Sequence, residues 1–439
     1  MSSFTLRHYL VVLAGILICL GPCALVYNTW AIFVVPVSET LGVSSSSFTF
    51  FITLIYLIGA IASPVAGNLM ERFDLRAVLS VSVIFVAFGM GCCSLWTEVW
   101  QFYISGVIEG LGIVSLMFLA VPTLINRWFV KRTGFFIGLC LAMSGVGGAL
   151  WSVVGGVLLT YADWHVAYAA FASIVLLLGL PAATVCIRSY PQELKLNPYG
   201  TDSKESSESH DEILLEDTFS HPSLKEEKGK QWGISCHVVF RSPIFYTLML
   251  AMGIFNALTV VGNLFASYIY HVAGLSDSQI TPEMAIVLAS GVSACIMIVS
   301  ALSKVGLGAL SDRNLVFALV LPCCCGVASI LCMWFGITIS TLFVYAGGLL
   351  FGVLYAAVDA LGATVTRQLV GPRNYTVIYS RVAIAVNLSG ALAATAFAAV
   401  ADLSWDAEWI MAIGLIVLAF LLGLYTIIQG RRKFVFTYE

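Results

Sequence analysis

Four ionisable side chains stand inside long apolar runs, where a charge is expensive to hold: Glu109, Lys304, Asp359 and Arg381. Lys304 lies in CIMIVSALSKVGLGALSDR (Cys295–Arg313), eight residues before the polar Asp312. At a helical rise of about 1.5 Å per residue, that is roughly 12 Å inside the apolar stretch. A cation at such depth costs on the order of 3 kcal/mol or more unless it meets a partner or a water-filled cavity. Two readings are open: the lysine stem carries the ammonium back to the interface, or the charge lines a transport pathway and meets an anionic solute there. The second is the expectation. Arg381, eight residues beyond Arg373, has the same two readings. Asp359, eight residues before Arg367, either neutralises Lys304 or Arg381, competes with a substrate for the cation, or carries a proton. Glu109, in VIEGLGIVS, reads as a protonated structural acid or as a proton-coupling site. Tyr27, Asn28, Trp30, Phe118 and Tyr355 can line a cavity around these charges or pack against lipid and core.

The composition says what must position these groups. The 439 residues are 60% hydrophobic and only 10% charged, with a mean hydropathy of +0.96. Soluble domains carry about 25% charged residues, so the class is an all-α polytopic membrane protein. Met1–His8 is short and polar, and the apolar run after it is too long for a leader, so no cleavable signal peptide is expected. Most of the 12 cysteines lie in apolar runs and read as buried thiols. Cys323, Cys324 and Cys325 are consecutive, so on a helix they diverge and make no metal site. No Ser/His or His/Glu set occurs at matching depth, so no catalytic residue, metal or cofactor is expected. GLGIVS weakly resembles a dinucleotide loop but lies mid-run with no strand before it.

Twelve apolar runs are long enough to cross a bilayer, at roughly 9–34, 46–68, 77–96, 101–124, 134–159, 165–187, 244–268, 284–310, 315–337, 341–365, 376–400 and 409–429. Of the 21 Lys and Arg, two (Lys304 and Arg381) fall within runs and all others fall on one side. Positive charge marks the cytoplasmic side, so both termini are expected there, in a multi-pass protein of the plasma membrane. The expected organisation is a six-helix half over 1–188, a partly disordered cytoplasmic linker over 189–241, a second six-helix half over 242–430 and a cytoplasmic tail over 431–439. The linker contains TDSKESSESHDE and SLKEEKGK, too polar to fold alone.

The halves repeat. GNLMERFDLRAVL (Gly67–Leu79) follows the second run and GALSDRNLVFAL (Gly308–Leu319) the eighth; NRWFVKR (Asn126–Arg132) closes the fourth and TRQLVGPR (Thr366–Arg373) the tenth. Parallel repeats point to alternating access around a midplane site. Glu71, Arg72, Arg127, Asp312 and Arg313 fall in the corresponding cytoplasmic loops, where a gate would act. The small residues of Gly134–Gly156 should let the fifth helix pack closely against the other half.

These repeats resemble the G-x-L-a-D-r signature of the major facilitator superfamily, with Glu71 in place of the usual aspartate. YNTWAIFVVPVSETLGVS (Tyr27–Ser44), NRWFVKRTGFFIGLCLAMSGVGG (Asn126–Gly148), FRSPIFY (Phe240–Tyr246) and RNYTVIY (Arg373–Tyr379) resemble the branch of oxalate:formate antiporters and monocarboxylate carriers. The resemblance implies a basic residue of the eighth helix that binds the substrate carboxylate, and Lys304 stands at the position of the usual arginine. Arg381 is one residue from the second cation of oxalate antiporters, and Ser300 replaces the aspartate of proton-coupled animal carriers. The implied function is secondary transport of small organic anions by proton symport or anion exchange. The substrate-binding set is Lys304, Arg381, Tyr27, Asn28, Trp30, Phe118, Tyr355 and Asp359, with Asp359 or Glu109 coupling protons. The expected partners are a small carboxylate, protons and the bilayer, with no nucleic acid, and the chain is expected to be monomeric. The alternatives are a lipophilic-cation exporter driven by proton antiport and a non-transporting sensor.

Overall fold

A computed structural model describes residues 5–201, 234–274, 281–337, 339–372 and 374–435. In hydrocarbon every backbone N–H and C=O must be paired within its own segment, so apolar runs of this length become helices. Among the described residues twelve helices are long and apolar enough to span a membrane. They are α1 (Leu6–Asn28), α2 (Ser46–Arg72), α3 (Leu75–Cys93), α4 (Val99–Trp128), α5 (Thr133–Tyr161) and α6 (Trp164–Cys186) in one half. The other half holds α7 (Pro243–Ala273), α8 (Val287–Arg313), α9 (Leu315–Gly336), α10 (Thr341–Val370), α11 (Tyr375–Ala393) and α12 (Trp405–Arg432). The two halves are called here the first and the second, and the membrane face that carries the connection between them the linker face.

The first span ends earlier than the run at 9–34 suggested. The chain breaks at Thr29 (φ −109°) and resumes as a short helix over Trp30–Leu41. Four spans are irregular well inside the membrane. α1 opens into a wide π turn over Cys19–Cys23, and α4 does so over Ser115–Ala120. α7 is interrupted at Val260 and α10 at Ala356. These are the first and fourth helices of each half, and π turns and breaks of this kind gather at functional sites.

Both ends of the linker are docked. Trp128 Nε1 donates to Arg188 O (3.0 Å), and Tyr199 exchanges backbone bonds with Trp128 and Val130. Ser189 Oγ donates to Asp74 Oδ1 (2.8 Å) and accepts from Leu75 N (2.9 Å). Burial pushes the Asp74 carboxyl up, but hydrogen bonds from Arg76 and Ser189 outweigh it and hold the group below its ordinary range. That contact is therefore present at neutral pH and lost as pH falls through the depressed value. At the other end Ile234 N donates to Val370 O (3.0 Å). The segment 202–233, where disorder was expected, lies outside the described residues, as does the end of the tail, 436–439.

The halves meet along two seams, α2 with α11 and α5 with α8. Small residues let backbones touch there, as the stripe at Gly134–Gly156 predicts. A Cβ on Gly134 would strike Gly308 O, and one on Gly138 would strike the carbonyl of Lys304. At Gly145 the nearest atom, Ala301 Cβ, is 3.4 Å away, and at Gly156, eleven residues further along the same face, nothing lies within 4 Å. The α5–α8 seam is thus tight toward the linker face and opens away from it. In the α2–α11 seam Ser63 Oγ donates to Ser380 O, and Gly67 packs on Ser380. Gly138→Ala should cost roughly 1–3 kcal/mol by overpacking, read as a lowered Tm in detergent. Gly156→Ala should leave Tm unchanged.

Candidate functional site

Lys304 does not reach for the interface. It is 3% exposed, and its Nζ lies 2.7 Å from Asp359 Oδ2 on α10. The same ammonium donates to Ser144 Oγ (3.1 Å) and faces Leu141 O (3.5 Å), both on α5 of the first half. Ser144 Oγ passes its own proton to Leu141 O (2.8 Å), so its lone pair is turned to the lysine. Asn28 at the end of α1 donates to Ser144 O (2.7 Å), and Gly148 leaves room for it. Trp151 Nε1 fastens α5 to α1 through Leu20 O (2.6 Å). One cation is therefore held by an acid of its own half and a braced hydroxyl of the other.

Asp359 falls in the first turn after the break at Ala356, and Tyr355 ends the turn before it. The helix is irregular at Ala356, immediately beside the ion pair. Tyr355 is within electrostatic reach of both Lys304 and Asp359. Tyr56 of α2 reaches Tyr355 and Asp359, and its ring centroid lies 5.1 Å from that of Tyr27. Phe118, in the π turn of α4, packs edge-on to Tyr27 at 6.2 Å. The Tyr27 hydroxyl is buried with no hydrogen-bond partner among the described residues.

One expectation about the charges needs correction. Arg381 does not join Lys304 and Asp359. Its Nη1 donates to Val377 O of its own helix (2.9 Å), and its guanidinium lies 4.7 Å over the ring of Phe240, in the short helix Cys236–Phe240. A guanidinium this close to the membrane surface gains more from an aromatic face and a carbonyl than from a buried partner. Glu109 is also separate. It is 1% exposed, accepts a weak bond from Cys93 Sγ (3.9 Å), and borders a cavity of about 10 Å³ with Thr29, Trp30 and Tyr168. That is room for about one water molecule. Trp30 therefore belongs with Glu109 and not with Lys304.

The loop residues make polar contacts at the linker face, several of them from one half to the other. Asp312 of α8 accepts from Gly134 N (2.8 Å) and Phe135 N (3.1 Å), capping α5 of the opposite half, whose own cap residue Arg132 gives no side-chain bond. A carboxylate at a helix N-terminus satisfies orphan donors and the helix dipole together. Arg367 of α10 reaches across to Asn126 Oδ1, Asn126 O (3.3 Å) and Phe129 O (3.1 Å). Gln368 Nε2 donates to Ser311 O (2.8 Å), and Thr123 meets Thr376 (3.2 Å). Arg127 donates to Met70 O (3.0 Å), pairs with Glu71 (3.4 Å) and stacks on Tyr190 (4.5 Å). Arg72 and Arg313 are exposed. Sequence reasoning missed Ser144, Asn126 and Arg367 as working residues. Ser144 was legible as a hydroxyl inside a stripe of glycines, whereas Arg367 looked like any loop cation.

A sequence profile of the Major Facilitator Superfamily matches residues 16–394. The chain belongs to that superfamily. The solved proton:xylose symporter XylE superposes with a TM-score of 0.69 over 95% of both chains at 14% identity, a likeness of fold. The Oxalobacter formigenes oxalate:formate antiporter is 28% identical over 141 residues, 32% of this chain and 33% of that one. The multidrug efflux pump SdrM of Staphylococcus aureus (strain N315) is 29% identical over 120 residues, 26% of this chain and 25% of the pump. The matched stretches cover under half of such curated relatives. In this superfamily member the ion pair makes its own prediction. Lys304→Met or Asp359→Asn alone strands a buried partner and should cost about 3–5 kcal/mol. Lys304→Met with Asp359→Asn should cost clearly less than the two single losses added, in a double-mutant cycle read by Tm or denaturant midpoint.

Proposed function

We propose that this protein is a secondary transporter of small organic anions bearing a carboxylate, and that Asp359 holds the place on Lys304 which the substrate carboxylate takes. The observation that carries the reading is the buried contact of 2.7 Å between Lys304 and Asp359, with the ammonium also bonded across the interface to Ser144. An anion entering the site finds a cation whose partner is a carboxylate much like its own. Tyr27 offers a buried hydroxyl with no partner among the described residues, and Tyr355 sits beside the pair. The similarity to the oxalate:formate antiporter supports a carboxylate cargo.

Protons enter through the same pair. Protonating Asp359 without substrate leaves an uncompensated cation in the closed interior, which is strongly unfavourable. Protonating it as a carboxylate arrives keeps the site neutral. Only the doubly loaded or the empty, ion-paired carrier then closes and reopens cheaply, and this is the condition for proton symport. If Asp359 stays protonated and a second anion replaces the first, the same site runs exchange. Glu109, a buried acid beside a water-sized cavity, is a second proton-coupling candidate. The linker face is the cytoplasmic one by its excess of Lys and Arg, and the tight end of the α5–α8 seam then makes this an inside-closed arrangement of a plasma-membrane monomer.

A second reading, export of lipophilic cations, draws on the similarity to SdrM and on the aromatic surroundings of Glu109. A thermal-shift screen separates the two, since carboxylates stabilise the anion carrier and lipophilic cations the exporter. In proteoliposomes, Lys304→Ala should abolish counterflow of the stabilising carboxylate. Asp359→Asn should flatten the pH dependence of uptake; full counterflow in Lys304→Ala would remove the lysine from the site.

A further inference from the structure

Between the two halves on the linker face lies a cavity of about 890 Å³, open beside these polar contacts. Lys131 and Arg132 line it from the first half, and Arg313 and Arg367 from the second; Thr133 and Thr364 add hydroxyls from each side. Among the described residues Asp312 is the one acid in the lining, and both of its oxygens are taken by the backbone N–H groups of Gly134 and Phe135. Arg367 is only 9% exposed, and its hydrogen bonds among the described residues go to neutral acceptors, on Asn126 and Phe129. Three arginines from the two halves thus face one concave space whose one described acid is already engaged, and a concave wall of one sign concentrates counter-ions.

We propose that this cavity binds a phosphate-bearing anion of two or more negative charges, and that the bound anion holds the linker face closed. A small carboxylate would fill a minor part of such a volume and could not reach cations on both walls. A polyphosphate or a phosphorylated headgroup spans them. Guanidinium groups bind phosphate oxygens in bidentate fashion, while lysine and hydroxyls supply point contacts. Because the cations come from both halves, any motion that opens this face pulls Arg132 and Lys131 away from Arg313 and Arg367. A ligand that needs both walls therefore binds the closed arrangement, and by linkage stabilises it. The proposal goes beyond the carboxylate reading, and rests on it only in requiring that the halves separate at this face. Lys304 and Asp359 play no part in the binding.

The test uses the full chain. Inorganic triphosphate is titrated by calorimetry into detergent-solubilised protein at physiological salt. In parallel, Tm is measured in phosphatidylcholine nanodiscs with and without a phosphoinositide. Binding of triphosphate assigns a soluble ligand, and stabilisation by the phosphoinositide alone assigns a lipid headgroup. Arg132→Gln with Arg313→Gln should weaken the bound species about tenfold or more, whereas Arg132→Lys with Arg313→Lys, which keeps the charge, should retain most of the affinity. Triphosphate or phosphoinositide at the linker face should slow counterflow about twofold or more, through loss of the open state, and the double Gln variant should be insensitive to it. Lys304→Ala should bind the phosphate species as wild type does, so failure of the carboxylate reading leaves this one standing. No binding of either species, wild-type affinity in the double Gln variant, or bound phosphate with unchanged flux overturns it.

Discussion

A charge can be kept in the interior of a membrane protein only if something neutralises and hydrogen-bonds it. Lys304 satisfies that condition twice, through the carboxylate of Asp359 and through Ser144 Oγ with Leu141 O near by. Each helper is itself fixed. Ser144 is oriented by its bond to Leu141 and braced by Asn28, and Asp359 sits in the first turn after the irregularity at Ala356. Removing any of these leaves the ammonium with an unmet donor at a depth where water is scarce. The position of α1 and α5 relative to α8 and α10 is therefore tied to one side chain.

The backbone seam supports that arrangement and limits it. Glycine at 134 and 138 brings α5 into contact with the carbonyls of α8, among them the carbonyl of Lys304 itself. The polar bridges beyond the seam, Asp312 onto α5 and Arg367 onto Asn126 and Phe129, lie on the same face. They are short-range and directional, and they add to the close helix packing of the two seams. Individual hydrogen bonds of this type contribute about 1–3 kcal/mol net when charged. A handful of them is a barrier that a carrier can cross on each cycle.

Much of this was legible before any coordinates. Twelve crossings follow from run length, and the parallel repeat from GNLMERFDLRAVL and GALSDRNLVFAL. That Asp359 meets a buried cation follows from opposite charges at similar depth, although depth alone left Lys304 and Arg381 both open, and the close approach of α5 follows from its stripe of small residues. Direction was not legible. Arg381 and Asp359 have similar distances from a polar end, yet one side chain turns back to Phe240 and the other inward, because depth along a helix says nothing of azimuth. The breaks in α7 and α10 and the π turn in α4 were also hidden. They depend on tertiary satisfaction of freed backbone groups, which no local residue preference records. Ser144 escaped notice because a hydroxyl in a glycine-rich run reads as packing until a cation is placed beside it.

The irregular helices and the ion pair belong to one mechanism. Lys304 and Asp359 share a half, so their contact survives a rigid rocking of one half on the other. The contact from Lys304 to Ser144 crosses the interface and does not. Opening the tight seam therefore strips one hydrogen-bond partner from the ammonium while leaving its charge balanced. Water or another acceptor must take the empty position. The irregularities in α1 and α10 lie on helices that carry Asn28, Tyr355 and Asp359, and a helix with a weakened turn can bend there at less cost than a regular one. The bond to Ser144 is thus the one contact of this ammonium whose presence depends on how the two halves sit, while the bond to Asp359 does not.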